Sequence, residues 1–196
     1  YFNFNFRHST TAEFLKKTKK FNLGKLIYGK FIMGHGLAYK KEYLYNWRSS
    51  KKLCPKGVFE LVSIHWIDMV NYVFGVKSCK TRFNNFSKKG STYDTSYTTI
   101  DTKNNAKIDI ISTYASPLIT DKKFIFTNGI IQQVYFTYLT LKNANLDVIF
   151  ISTNGKDTFS FLNVPVRIIH NLDKKYFLDI ETIIFISSSL TSKTDF

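Results

Sequence analysis

Cysteine, acidic residues and uninterrupted apolar runs are all scarce in this chain, and each scarcity excludes something. Cys54 and Cys79 are the only cysteines in 196 residues. They are too few for a disulfide framework and lack the spacing of a metal-ligand pair, which fits a reduced, cytoplasmic setting. No signal peptide or membrane-spanning segment is expected, because Glu60, His65 and Asp68 interrupt the one long apolar run, Gly57 to Gly75. No G-x-G-x-x-G occurs. Gly34-His35-Gly36 lacks the third glycine and comes after the wrong kind of unit, so no cofactor-binding residue is assigned, and no metal ligand either. A Pro/Gly/Ser linker, an internal repeat and a low-complexity block are absent too, which predicts one α+β domain over residues 1–196. The chain opens on Tyr1 rather than methionine, a start expected of a fragment.

Acids number 14 against 28 lysines and arginines, a net charge of +14. That excess invites a nucleic-acid or anionic-surface reading. The lysines nonetheless come as scattered pairs such as Lys16-Lys17, Lys51-Lys52 and Lys88-Lys89, with no run of five or six like charges. Solvated surface lysines are the expectation, nucleic acid and membrane are not expected partners, and a basic mouth attracting a phosphate-bearing substrate remains compatible.

What is present is patterned. Tyr1 to Phe6 alternates aromatic and asparagine, the period of a half-buried strand. Thr10 with Glu13 matches a capping box ahead of a lysine-rich helix over Thr11 to Phe21, ending at Asn22-Leu23-Gly24. Lys25 to Met33 reads as a strand, followed by a glycine-aromatic loop from Gly34 to Lys56 whose ring density argues against disorder. Further strands are predicted over Val76–Phe86, Thr92–Thr102, Lys107–Tyr114, Lys123–Phe126, Ile130–Leu141 and Leu146–Ile151. Asn104-Asn105, Thr127-Asn128-Gly129 and Asn154-Gly155 supply turns. Short polar turns between such runs predict a largely antiparallel, meandering open sheet. The tail from Asp173 to Ser189 is compatible with helix or strand.

Gly57 to Gly75, GVFELVSIHWIDMVNYVFG, is apolar at both three- and four-residue spacings, which predicts a helix apolar on most sides and therefore buried. An imidazole and two carboxylates on such a helix each need a partner once removed from water.

Four stretches in order, YFNFNFRHSTTAEFLKK, FNLGKLIYGKF, YNWRSSKKLCPKGVFELVSIHWIDMVNYVFG and YDTSYTTIDTKNNAKIDIISTY, together resemble the C-terminal domain of the Gfo/Idh/MocA oxidoreductases. The resemblance rests on Phe6-Arg7, Leu23-Gly24-Lys25-Leu26, Trp47, Gly57, His65, Asp68, Phe74-Gly75, Asp94-Thr95 and Asn105-Ala106. It spans the first two-thirds of the chain. It implies an α+β domain with an open, largely antiparallel sheet and helices packed on one face, supplying the substrate pocket and an oligomer interface. It also implies an N-terminal Rossmann domain, absent from this chain, that holds NAD or NADP. The isolated chain is then expected to bind no cofactor and to be inactive alone.

The resemblance places His65 beside a substrate hydroxyl as acid/base, a role suited to an imidazole; a core histidine bonded to backbone is the bland alternative. Many family members carry an aspartate four residues earlier, where this chain has Leu61. His65 working without that carboxylate, Glu60 reaching in from the helix edge, or loss of the chemistry all remain open. Asp68 is read as a buried hydrogen-bonding group. Arg7, His35, Tyr39, Tyr43, Trp47, Arg48 and Glu60 are candidate substrate-binding residues. Aromatic platforms with a guanidinium suit a sugar ring or its phosphate or carboxylate appendage, against a self-packed surface loop as the alternative. The expected partners are a sugar or sugar-nucleotide substrate and further copies of the chain, packed through the β-sheet. The competing readings are a non-catalytic binding or dimerisation module, degenerate or truncated, and an anionic-polymer binder, for which no recognised nucleic-acid motif speaks.

Overall fold

The strand order of the main sheet is set by one long excursion between two parallel neighbours. Strand β1, Leu26–Gly34, leads into the aromatic loop and then a helix, and the chain returns at the sheet's far edge as β2, Val76–Asn84. It steps back through β3, Thr95–Thr102, and β4, Lys107–Thr113, which settles beside β1 in parallel. Strand β5, Ile119–Phe126, crosses to the other side of β1, and β6, Gly129–Gln132, completes the order β2-β3-β4-β1-β5-β6. Every pairing except β1–β4 is antiparallel. The sheet is therefore mostly antiparallel, and it is not a simple meander.

This computed structural model describes residues 3–132, 139, 141–145, 150–152 and 166–168. The chain divides into two compact units, Tyr1–Gln133 and Val134–Phe196. In the second, β7, Phe150–Ser152, and β8, Val166–Ile168, form a parallel pair. The expected strand at Ile130–Leu141 is described as strand only to Gln132. Most of Leu146–Ile151, the turn at Asn154-Gly155 and the tail from Asp173 lie outside the described residues.

Alternation along the strands gives the sheet one covered face. Ser96, Thr98 and Ile100 on β3, Ile108, Ile110 and Ser112 on β4, Phe31 on β1 and Phe124 on β5 are all buried. Two helices cover them: α1, Thr10–Lys16, and α2, Ile64–Phe74. Trp66 of α2 stacks on Phe31 at 4.7 Å, and Phe31 meets Phe124 edge-on at 5.1 Å. Each buried aromatic of this kind contributes on the order of 1.5–3 kcal/mol. Helix α2 is buried along Trp66, Met69 and Val70, while Asn71 and Tyr72 face solvent. It is thus amphipathic, not buried on most sides as its composition predicts.

Two further expectations are corrected. The alternating YFNFNF segment does not continue as a strand: Asn5–His8 is a 3-10 turn whose rings pack on α2 instead of on a sheet neighbour. Helix α1 is capped one residue earlier than the capping box predicts, with Ser9 Oγ accepting from Ala12 N–H at 3.3 Å. It gives way at Lys17 to a 3-10 turn over Thr18–Phe21, closed by Asn22 in the left-handed region.

Candidate functional site

The site is built at the carboxyl ends of the parallel pair β1 and β4. The short link from β4 to β5 must pass over the end of β1, and Gly34 and Gly36 make that crossing possible. A Cβ on Gly34 would sit 2.6 Å from the carbonyl oxygen of Pro117, and Gly36 adopts φ +61 against Ser116 and Pro117. Gly34-His35-Gly36 is therefore a crossing point. The chain continues from it into the three-residue turn Leu37–Tyr39, not into a helix whose N-terminus could cradle a pyrophosphate. The described residues do not fit a dinucleotide.

The aromatic loop continues as two more 3-10 turns, Lys41–Tyr45 and Trp47–Ser49. It is tied to the β2–β3 connection through Ser49, whose carbonyl accepts from Ser91 N–H at 2.8 Å. Gly57, at φ +56, lies directly against the carbonyl of Tyr93, leaving no room for a Cβ. A π-helical turn, Phe59–Ser63, then leads into α2. It sets Ser63 on the sheet, where its hydroxyl bridges Ser96 and Ser112 at 2.8 Å each, all three wholly buried. Such π turns recur at functional sites, where they re-aim the neighbouring side chains.

His65 projects from the first turn of α2 between two rings, Phe6 at 5.4 Å and Phe4 at 6.0 Å. The residue is part-exposed, but its Nδ1 is buried without a hydrogen-bond partner among the described residues. One turn on, Asp68 grips Arg7 in two bonds, from Nε at 2.7 Å and Nη2 at 2.5 Å. The Arg7 guanidinium also lies over Phe4 and Tyr72. Arg7 thus holds the N-terminal turn, with Phe4 and Phe6, against the His65 side of α2.

Three loop candidates gather around a residue that sequence reasoning passed over, Tyr114. His35 and Tyr43 each meet its ring edge-on at 6.0 Å, and the Arg48 guanidinium lies near enough to favour its ionised form. Burial pushes the Tyr114 phenol well up despite that guanidinium. Tyr43 is fully buried with its hydroxyl unpartnered among the described residues, and its phenol is pushed up to about 12 by burial. His35 is exposed at the surface, and desolvation of its ring lowers its pKa.

Glu60 is exposed and is taken by a thiol: Cys54 Sγ donates to its Oε2 at 3.3 Å. Burial first, and then the carboxylate, raise Cys54 to about 11, so it is a protonated donor and no nucleophile. Tyr39 stands apart, its hydroxyl donating to Ala115 O at 2.8 Å, while Trp47 is an exposed platform under Arg48. Among the described residues no hydrogen bond, ion pair or ring contact joins His65 to the loop candidates. The candidates therefore form two clusters: Arg7 with His65 on α2, and His35, Tyr43 and Arg48 around Tyr114.

Two other features had no clear sequence signal. Lys122 on β5 points under the helices, with Nζ 3.0 Å from Thr11 Oγ1 and 5.3 Å from the Trp66 ring centre. Burial lowers it to about 8. On the open face, Asp109 accepts from Tyr28 Oη at 2.9 Å and Thr99 Oγ1 at 2.7 Å beside a groove of about 260 Å³. Only side-chain parity along the strands could have hinted at either. Among the described residues no group of His, Cys, Asp and Glu is placed to hold a metal, and no helix is long and apolar enough to cross a membrane.

The fold recurs in solved oxidoreductases. An oxidoreductase from Agrobacterium radiobacter, solved with NAD+, L-tartaric acid and magnesium, superposes with a TM-score of 0.54 at 21% identity, over 66% of this chain and 39% of that one. An inositol dehydrogenase homolog from Azotobacter vinelandii complexed with NAD+ gives 0.56 at 17%, over 66% and 37%. Levoglucosan dehydrogenase, with NADH and levoglucosan, gives 0.56 at 19%, over 66% and 38%. These likenesses establish the fold, and the chain spans about two fifths of the length of each. No curated protein matches. The GFO/IDH/MocA C-terminal domain model matches residues 19–138, more than half of the chain. With strand order, glycine crossing and the α2 helix all accounted for, the chain belongs to the GFO/IDH/MocA C-terminal domain family.

Proposed function

We propose that this chain is the substrate-binding and dimerisation domain of an NAD(P)-dependent oxidoreductase acting on a sugar, sugar-nucleotide or related polyol. One observation carries the reading: a family domain sets an imidazole on the first turn of α2, held in an aromatic collar that the Arg7–Asp68 pair locks in place. Neighbours named for inositol and levoglucosan support the substrate class. The nicotinamide belongs to a nucleotide-binding lobe outside these residues and supplies the hydride chemistry. This chain contributes His65, which takes or returns the proton of the substrate hydroxyl, and the loop platforms that position the ring. Replacing His65 by alanine in the full-length protein, with far-UV circular dichroism as the folding control, should lower kcat by about 10²–10⁴-fold; near-normal turnover removes His65 from the mechanism.

The open face of the sheet is proposed as the homo-oligomer surface. Its Tyr28–Asp109–Thr99 network and Lys30–Asp121 ion pair keep its polar groups satisfied while leaving Tyr97 exposed at its centre. Tyr97→Glu should shift sedimentation toward monomer; an unchanged assembly refutes that surface.

One observation favours a non-catalytic binding or dimerisation module instead. A base whose Nε2 is bare must carry its proton on Nδ1, and here Nδ1 is buried with no acceptor among the described residues, while Leu61 takes the place of a carboxylate. An unsatisfied buried donor costs about 1–3 kcal/mol, enough to disfavour the reactive tautomer. The His65→Ala measurement separates the two readings.

A further inference from the structure

An uncompensated guanidinium stands at the mouth of the loop. Arg48 is half-buried and lies flat against the Trp47 ring at 4.5 Å. Its guanidinium makes one hydrogen bond among the described residues, to a neutral partner: Nη1 reaches Asn46 Oδ1 only at a long 3.4 Å, with the buried Tyr114 phenol nearby. A guanidinium has five donors in a rigid fork, so this leaves most of them unused. No carboxylate of the described residues lies within ion-pair distance of it; the ion pairs among them are Arg7–Asp68 and Lys30–Asp121.

Of the acids on these segments, Glu42 is exposed and forms no ion pair among the described residues, and two others are already engaged. Glu60 accepts the Cys54 thiol, and Asp94 is wholly buried and saturated by Phe86 N–H at 3.0 Å, Ser87 N–H at 2.7 Å and Thr95 Oγ1 at 2.9 Å. Exposed Lys40, Lys41, Lys51 and Lys52 on the same loop add to the positive potential. A stacked, planar cation with its edge donors unspent and no internal counter-ion matches the bidentate geometry of a carboxylate or phosphate.

We propose that Arg48 binds an anionic group on the substrate, so that the preferred ligand is an acidic or phosphorylated sugar or polyol and not a neutral one. The proposal rests on the reading of this domain as a substrate-binding one. Arg48 is then a specificity-determining residue, with the Trp47 ring beside its fork.

The test is titration calorimetry on the full-length protein with glucose, glucuronate and glucose 6-phosphate, repeated at 50 and 200 mM salt. Glucuronate or glucose 6-phosphate should bind at least about tenfold more tightly than glucose, with the gap narrowing at the higher salt. Arg48→Gln should abolish that preference while changing glucose affinity by less than about threefold, and Arg48→Lys should keep only part of it. Lys20→Gln, which removes one charge from the exposed turn after α1, should keep the preference and so exclude a net-charge effect; near-UV circular dichroism checks each fold. Equal binding of all three sugars, no binding of either anionic sugar, or an intact preference in Arg48→Gln overturns the proposal. Anion preference without NAD(P)-dependent turnover would instead overturn the oxidoreductase reading alone.

Discussion

Replacing Lys122 by methionine should stabilise the protein, and the gain should vanish in alkali. The ammonium sits under α1 and α2, and burial lowers it from 10.5 to about 8. The unfolded chain therefore binds the proton more tightly than the folded one, and stability must rise as pH climbs from about 8 to about 10.5. Below pH 8 the whole cost is present. At about 1.4 kcal/mol for each factor of ten in proton affinity, it amounts to about 3 kcal/mol. Methionine keeps the length and the apolar stem contacts but forfeits the polar contacts of the ammonium, among them the bond to Thr11 Oγ1 and the attraction to the Trp66 face, each worth about 1 kcal/mol. A net gain of about 1–2 kcal/mol at pH 7 is expected, shrinking to zero or reversing near pH 10.5. Urea unfolding of both proteins at pH 7, 8.5 and 10, compared as a difference so that other titrating groups cancel, measures it. A Lys122→Met variant less stable than the parent at pH 7, or a difference independent of pH, refutes the desolvation argument.

Ser63→Ala should cost about 2 kcal/mol in urea unfolding, because it strips a partner from the buried hydroxyls of Ser96 and Ser112 at once. Gly57→Ala should cost more than about 2 kcal/mol, or prevent folding, since the left-handed backbone and the Tyr93 carbonyl both refuse a Cβ; a melting temperature within a degree of the parent would contradict this. Tyr43→Phe should be neutral or stabilise by up to about 1 kcal/mol, as it deletes a buried hydroxyl without a partner among the described residues. A loss above that would mean the hydroxyl is satisfied by an ordered water.

The parts of the fold that depend on local chemistry were readable, and those that depend on distant pairing were not. Strands β1 to β5 declare themselves by alternating apolar residues between Asn and Gly turns, so their extents match the reading within a few residues. Alternation says which face a residue takes, but not which strand lies alongside. The parallel β1–β4 pair arises only because α2 carries the chain to the far edge before it returns. The YFNFNF segment has the same alternation, but its described residues from Asn3 on pair with no strand. The Phe6 ring instead finds Trp66 and His65, and that tertiary gain outweighs a weak strand preference. Likewise Ser9 and Thr10 are both good caps, and a one-residue difference in where the first turn closes lies below what a motif can resolve.

The site shows the same division, with a sharper consequence. Residue types were legible, and partners were not: Asp68 finds Arg7 across 61 residues of chain, and Arg48 finds Tyr114 across the sheet end. On a regular helix Glu60 is turned away from His65, whereas the i→i+5 bonds of the π turn over Phe59–Ser63 bring residues five apart nearer to one another. The sequence carries no mark of that extra residue. The carboxylate accepts from the Cys54 thiol at 3.3 Å, and among the described residues no hydrogen bond joins it to the imidazole. With Leu61 one turn before it, the Nδ1 of His65 is left without a hydrogen-bond partner among the described residues.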